Sequence, residues 1–386
     1  MSSILYDFAI VGAGAAGLQL ALALKDDVYF RNRKILILDK SAKNLNDKTW
    51  CFWESGAGRY DSIITHSWDV ADFMSKLKEV RLDLRPYRYK MLRASDFYDY
   101  AKTEIECCPN IVWVDDDVSS IQENGYGKIQ GKERNYAARH IFDSRVPEDF
   151  SHHTDSYIRL LQHFKGWYIQ TEVDTFDASK FLMMDFRLQW KDSTSFTYVL
   201  PTSARTALVE FTLFTPTLIG DEDYDLMLRQ YLSEILKIGA YEITEVEKGI
   251  IPMSDYPFHK HNTNCITKIG TAGGWVKPSS GYSFKNCDRF AKRIVENIKS
   301  GVRPSAGIAR GRFRKYDSLF LDVLMNRNEL GASLFTAMYT QNSPERILKF
   351  LDEETTLLED LSIMRAFDQT LFIRTLFKQT FSLGLM

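Results

Sequence analysis

Residues 6–17 read YDFAIVGAGAAG, a short apolar strand that runs into a glycine-rich turn and on into a helix-like stretch. Each glycine has a physical task in that order. Gly12 permits the tight turn, Gly14 lets a pyrophosphate approach the backbone, and Gly17 lets the helix pack closely on the strand. Ala15 and Ala16 belong to the same loop, and the helix that follows offers free N–H groups and the positive end of its dipole to an anion. A second apolar strand, Lys34 to Asp39 (KILILD), ends in an acid about 20 residues beyond the glycines, as a ribose 2′-hydroxyl contact requires. Asp39 is the candidate for that contact. The competing reading, close helix packing in an unrelated α/β unit, lacks a reason for the acid-terminated strand; spacing alone does not choose between NAD and FAD.

A chain of 386 residues is long enough for a large core and reads as two interlocked domains. With 45% hydrophobic residues and a net charge of −2, it gives no sign of disorder or of a nucleic-acid partner. The five cysteines are scattered and include no C-x-x-C, which argues against a disulfide framework and against a zinc site, so no metal is expected. They point to a reducing compartment. The first strand starts almost at once, leaving no room for a signal peptide, and no run of 18 or more apolar residues is present to span a bilayer.

After Asp39, the segment KSAKNLNDKTWCFWESG surrounds Trp50, Phe52 and Trp53 with polar loop residues; such aromatics are either ordinary core or the wall of an apolar pocket. Residues 79–92 alternate like a pair of strands, Ala94 to Glu106 reads as an amphipathic helix, and four short strands follow, the last ending in FDSR. From Ile158 to Phe214 the chain is β-rich and predicts a separate antiparallel sheet. Within it, Glu210 stands in the apolar segment ALVEFTLF. A lone strand glutamate ordinarily faces solvent. On a sheet lining an apolar cavity the same carboxyl would be desolvated and would hold its proton as a general acid. Asp185 and Arg187 in MMDFR share a strand face and read as a simple pair.

Residues 223–238 look helical, and residues 266–284 (ITKIGTAGGWVKPSSGYSF) form the second informative stretch. A strand there ends at Gly270 and runs through Thr271, Ala272, Gly273, Gly274, Pro278 and Gly281 into a helix beginning near Ser283. A loop of small residues at a helix start brings backbone N–H groups against a cofactor; a plain tight loop is the alternative. From about Ser300 onward the chain is helical. Leu357, Leu361, Met364, Phe367 and Leu371 recur at helical spacing and Phe372, Leu376 and Phe377 extend the surface, a stripe for burial or, with Arg365, Arg374 and Lys378, for a membrane surface.

Several of these motifs, in this order, resemble the lycopene cyclase family of flavoproteins, of the bacterial β-cyclase type. The residues that carry the resemblance are VGAGAAG (11–17), NDKTWCFW (46–53), LLQHFKGW (160–167), MDFR (184–187), YVLPTS (198–203), ALVEFT (207–212) and GTAGGWVKPSSGYSF (270–284). The resemblance implies an α/β fold: a Rossmann-like FAD-binding domain of the flavin hydroxylase kind, an antiparallel substrate sheet and a helical C-terminal region. In segments, it implies a discontinuous FAD-binding domain of residues 1–45, 90–150 and 265–305, a substrate-binding domain of 46–89 and 151–264, and a C-terminal region of 306–386.

The family's essential glutamate, in a motif written FLEET, falls on Glu210, while its second acidic position is Phe211 here. Thr271 stands where related flavin hydroxylases carry an aspartate. The resemblance further implies cyclisation of lycopene, or a related linear carotenoid, to β-ionone rings with reduced FAD, NAD(P)H as reductant and no net redox change. Glu210 would be the acid and Trp50, Phe52 and Trp53 the pocket. A lipid-dissolved polyene implies a cytoplasmic protein lying peripherally on the inner face of the membrane. The alternative on the same fold is an FAD-dependent monooxygenase or desaturase acting on a polyene or isoprenoid, and product mass separates the two.

Overall fold

The computed structural model describes residues 4–152, 157–308 and 311–383. The outer ends of the expected segments 1–45 and 306–386, and residues 153–156 and 309–310, lie outside the described residues.

In chain order, β1 (Leu5–Val11), α1 (Ala15–Asp26) and β2 (Ile35–Asp39) open the fold. Five strands follow: β3 (Thr49–Ser55), β4 (His66–Trp68), β5 (Val70–Met74), β6 (Glu79–Asp83) and β7 (Tyr87–Arg93). Helix α2 (Ala94–Glu106) leads to β8 (Ile111–Asp115), β9 (Val118–Glu123), β10 (Gly127–Gly131) and β11 (Asn135–Asp143). A single turn, α3 (Asp149–His152), precedes β12 (Arg159–Thr171), β13 (Lys180–Asp185), β14 (Thr194–Pro201) and β15 (Thr206–Thr215). Then come α4 (Asp221–Gln230), β16 (Tyr241–Ser254), β17 (Ile266–Lys268) and α5 (Phe284–Lys299). The chain closes on α6 (Gly311–Asn326), α7 (Gly331–Gln341), α8 (Pro344–Leu351), α9 (Leu357–Met364) and α10 (Gln369–Leu383).

The first sheet runs β8-β2-β1-β11-β10-β9, with β17 also beside β11. Strands β8, β2, β1 and β11 are parallel, the arrangement of a doubly wound cofactor-binding domain. The alternation in β1 explains its place: Ile10 packs under α1 and α5, while Ala9 and Val11 pack on the opposite face. Helix α1, written AAGLQLALALKD, is made almost wholly of strong helix formers, and it is buried nearly all round because α5 and α2 cover it.

The second sheet, β16-β12-β15-β14-β13-β5-β6, is antiparallel except where β5 meets β13. Period-two alternation gives it two apolar faces. Trp167, Val209, Phe211 and Leu213 point to one side, where α4 and the π turn Tyr231–Ile235 cover them. Leu160, Phe196, Leu208 and Phe214 point to the other, against Leu321, Leu334, Phe335 and Met338 of α6 and α7. Each of these large side chains contributes roughly 1.5–3 kcal/mol by leaving water, so the C-terminal helices are an integral wall of this sheet.

A small sheet, β3-β7-β4, bridges the two. Residues 79–92 were expected to pair with each other; instead β6 joins the second sheet through β5 and β7 joins β3 and β4. The turn at Arg85–Pro86 sends the two strands to different layers. The helix expected over 223–238 is α4 followed by the π turn, and β16 occupies a stretch whose charged alternation gave little sign of a long strand.

Candidate active site

The glycine turn is built as the sequence requires. Gly12 has φ +99°, and a Cβ there would lie 1.9 Å from Ser144 Oγ; a Cβ on Gly17 would lie 1.9 Å from the Gly12 carbonyl. At Gly14 a Cβ would meet no protein atom within 4 Å, so the chain keeps space open in front of the N-terminus of α1. The Asp39 carboxylate sits beside this turn, accepting from Ala13 N at 2.6 Å and Ser41 N at 2.8 Å. It ties the glycine loop to the end of β2.

Gly14, Ala15, Ala16 and Gly17 form one end of a cavity of about 550 Å³. Gly270, Thr271, Val276, Ser280, Gly281 and Tyr282 form its flank, and Ser283 and Phe284 bring the start of α5 to it. The opposite wall is the second sheet: Gln162, Phe164, Tyr198, Leu208, Glu210 and Glu247. Residues more than 190 positions apart thus share one chamber.

Glu210 stands on the cavity side because Leu208, Glu210 and Thr212 alternate with Val209, Phe211 and Leu213. The surface it keeps faces the cavity. Burial first, and the neighbouring Glu247 second, push its carboxyl up to about 8, against a hydrogen bond that Thr212 Oγ1 donates to Oε1 at 2.8 Å. Oε1 is occupied by that bond, which leaves Oε2 as the oxygen better placed to carry the carboxyl proton. Phe211, where the family motif has its second acid, is fully buried on the other face under α4. A carboxylate at that position would point away from the chamber.

Glu247 was missed in the sequence. It is 8% exposed, accepts from Thr49 N at 2.9 Å and from Thr49 Oγ1 at 2.6 Å, and burial raises its carboxyl above the ordinary glutamate value. The Tyr168 hydroxyl lies 2.7 Å from Thr49 Oγ1 and, with that oxygen's proton committed to Glu247, is the donor.

Of the three aromatics singled out around residue 50, Trp50 lines the chamber. Phe52 stacks on Phe284 at 4.8 Å between ring centres, inside the core of the first domain. Trp53 points the other way and donates its Nε1 hydrogen to Asp352 Oδ2 at 2.7 Å, in the second core. Tyr89, Tyr98, Phe164, Tyr198, Tyr282 and Phe284 supply the remaining aromatic wall. Asp185 and Arg187 pair with each other, and Tyr231 donates to Asp185, beneath the sheet and away from the chamber.

The loop after β17 separates this chamber from a second cavity, also about 550 Å³. Pro252, Thr271 and Val276 belong to both walls. Gly273, Gly274 and Pro278 face the second cavity, whereas Ala272 is fully buried beneath the loop. That cavity reaches Leu376 of α10 and is floored by the buried pair of Lys277 and Asp317, 3.0 Å apart. Among the described residues no His, Cys, Asp or Glu cluster could hold a metal ion.

A nucleotide cofactor fits the chamber on three observations: the open space at Gly14, the helix start at Phe284, and the side-chain oxygens of Gln162 and Ser280, buried on the wall with no hydrogen-bond partner. The two-sheet arrangement is that of the flavin hydroxylase-like fold. A geranylgeranyl bacteriochlorophyll reductase-like protein from Thermoplasma acidophilum is similar, with TM-score 0.59 and 14% identity over 94% of this chain and 95% of that one. The flavin-dependent brominase Bmp2 gives TM-score 0.60 and 12% identity over 98% and 100%. An arginine-to-glutamine variant of HpxO of Klebsiella pneumoniae, complexed with FAD, gives 0.60 and 13% over 90% and 98%. The chain belongs to the lycopene cyclase family, whose profile, described as Lycopene cyclase protein, matches residues 7–377. No curated protein sequence matches it.

Proposed function

We propose that this chain is a lycopene β-cyclase, which protonates the ends of a linear carotenoid and closes them into β-ionone rings. One observation carries the reading: Glu210, a carboxyl held neutral near physiological pH, opens into the chamber that also contains the glycine turn and the start of α5. FAD is the cofactor the chamber suits. Gly14, Ala15, Ala16 and Gly17 would hold its pyrophosphate on the turn that Gly12 shapes, Asp39 beside that turn a ribose, and Gly270, Thr271 and Gly281 its ring end, with Ser280 and Gln162 as hydrogen-bonding partners. Gly273, Gly274, Pro278 and Ala272 shape that loop from its far side. Reduced with NAD(P)H, the bound flavin would supply negative charge beside a developing cation.

Glu210 Oε2 delivers its proton to the terminal double bond of the polyene, leaving a tertiary cation. The neighbouring double bond attacks that cation and closes the ring, and loss of a ring proton restores neutrality; the carboxylate left on Glu210 is placed to take it. Trp50, Tyr89, Tyr198 and Tyr282 surround the cation with electron-rich faces and exclude water that would otherwise trap it. No atom other than hydrogen is exchanged.

A carotenoid longer than the chamber needs a way out. The second cavity shares Thr271 and Val276 with the first and ends at Leu376, beside exposed Ile373 and Phe377. Leu357, Leu358 and Leu361 of α9 are exposed as well, as are Arg365, Arg374 and Lys378; apolar and basic side chains of this kind suit contact with a bilayer, on the cytoplasmic side in this reading. Among the described residues no helix is long and apolar enough to cross a membrane.

The test is anaerobic incubation of the reduced protein with lycopene in liposomes, followed by product separation. A cyclic product of unchanged mass supports the reading. A product heavier by oxygen or poorer in hydrogen makes the chain a monooxygenase or a desaturase instead.

A further inference from the structure

Strand β12 lies between β15 and β16, and its Gly166 is the register partner of Glu210 on one side and Glu247 on the other. Neighbouring strands stand about 4.8 Å apart, so the two glutamate Cα atoms are about 10 Å apart, and Gly166 puts no side chain between them. A Cβ on Gly166 would already lie 2.9 Å from Leu208 Cδ1 and 3.4 Å from Glu210 Cβ. Two carboxyls therefore line one chamber from strands on either side of a residue without a side chain, and both do not ionise there at equal cost.

Their hydrogen bonds decide which one carries the charge. Glu247 accepts from both the backbone and the hydroxyl of Thr49, two donors that favour the carboxylate, whereas Glu210 accepts from Thr212 alone. The other groups facing Glu210 are Cys51 of β3, Tyr89 of β7, Tyr198 of β14 and Tyr282 of the loop, all pushed up by burial and so neutral. Of the charged residues on the same walls, Asp47 bonds to Lys48 and Tyr98, and Lys248 bonds to Asp221. Facing Glu247 are Tyr168 and the ion pair of Arg93 with Glu245.

We propose that Glu247 is a positioning residue for the reaction: clamped by Thr49 as the carboxylate of the pair, it holds the proton on Glu210 from two strands away, across Gly166. The proposal rests on the reading of Glu210 as the acid, and it acts through that residue without touching the polyene.

Infrared titration tests it without relying on turnover. The band of a protonated carboxyl that disappears in Glu210→Gln belongs to Glu210, and in the parent protein it should titrate near pH 8. In Glu247→Gln the same band should titrate lower by about one pH unit, the effect of removing one charge at that distance. Thr49→Val, which weakens the clamp but leaves both carboxyls, should move it in the same direction by less. The alkaline limb of the cyclisation rate should follow the band. An unmoved titration in both variants overturns the proposal while leaving the cyclase reading intact. Absence of cyclisation by the parent protein, with the band shifting as described, overturns the cyclase reading and leaves the carboxyl pair standing.

Discussion

Glu210 and Glu247 occupy one row of the second sheet, two strands apart, with only the backbone of Gly166 between them. The sheet thus offers two acids to a chamber whose other end is the glycine turn. That relationship sets the expected behaviour of each residue around it.

Replacing Glu210 with Gln removes the carboxyl proposed as the proton donor and keeps the side chain's shape. Cyclisation should fall below detection while flavin content, read from visible absorbance, stays at the parental level. Retention of even a tenth of the parental rate would move the acid elsewhere.

The same carboxyl makes stability depend on pH. Its folded value, about 8, lies above the ordinary 4.5, so between these the folded chain keeps a proton that the unfolded chain has released. Stability contributed in this way is present below about 4.5 and is lost as pH rises toward about 8. Glu210→Gln should therefore be more stable than the parent at about pH 9, by on the order of 2 kcal/mol once cavity solvation is discounted, and should show little difference at about pH 5. Urea unfolding at the two pH values measures this; equal stabilities at the higher pH would contradict it.

Gly14 separates cofactor binding from folding. Because a Cβ there meets no protein atom, Gly14→Val should leave the melting temperature within a few degrees of the parent and still reduce bound flavin at least tenfold. Gly12→Val, at φ +99° and against Ser144, should damage both. A Gly14 variant that binds flavin normally would place the cofactor away from the turn.

The C-terminal stripe divides into a packed part and an exposed part, which mutagenesis separates. Phe367, Leu371 and Phe372 pack on the second core, so changing Phe367 to Ser should cost about 2–4 kcal/mol of stability. Leu357, Leu361, Leu376 and Phe377 are 50–62% exposed. Their combined replacement by Ser should leave stability nearly unchanged and abolish sedimentation with anionic vesicles. Unaltered vesicle binding would assign membrane contact to another face.

Much of this architecture is readable along the chain because it is local. The turn at 12–17, the acid-ended β2 and the helix after Ser283 each rest on a few adjacent residues, and they recur in the fold as written. Glu210 stands out for the same reason, as one carboxyl in an apolar strand. Glu247 does not, since YEITEVEKG reads as a charged edge, and its importance depends on Gly166, some eighty residues earlier. The aromatics of β3 illustrate the opposite error. Trp50 and Phe52 share a face and Trp53 takes the other, so no single wall can hold all three, and what each one meets is decided by Phe284 and Asp352, far along the chain. The division of residues 79–92 between two sheets is likewise set by partners, β5 and β3, that the segment itself does not contain.

The most direct measurement is cyclisation in deuterated buffer. The reduced protein, given lycopene under argon, should yield rings that each gain one deuteron and lose one proton, raising product mass by about one unit per ring, with no product from Glu210→Gln. Cyclic product without deuterium, or deuterated product made equally well by the Gln variant, would contradict the assignment of Glu210 as the acid.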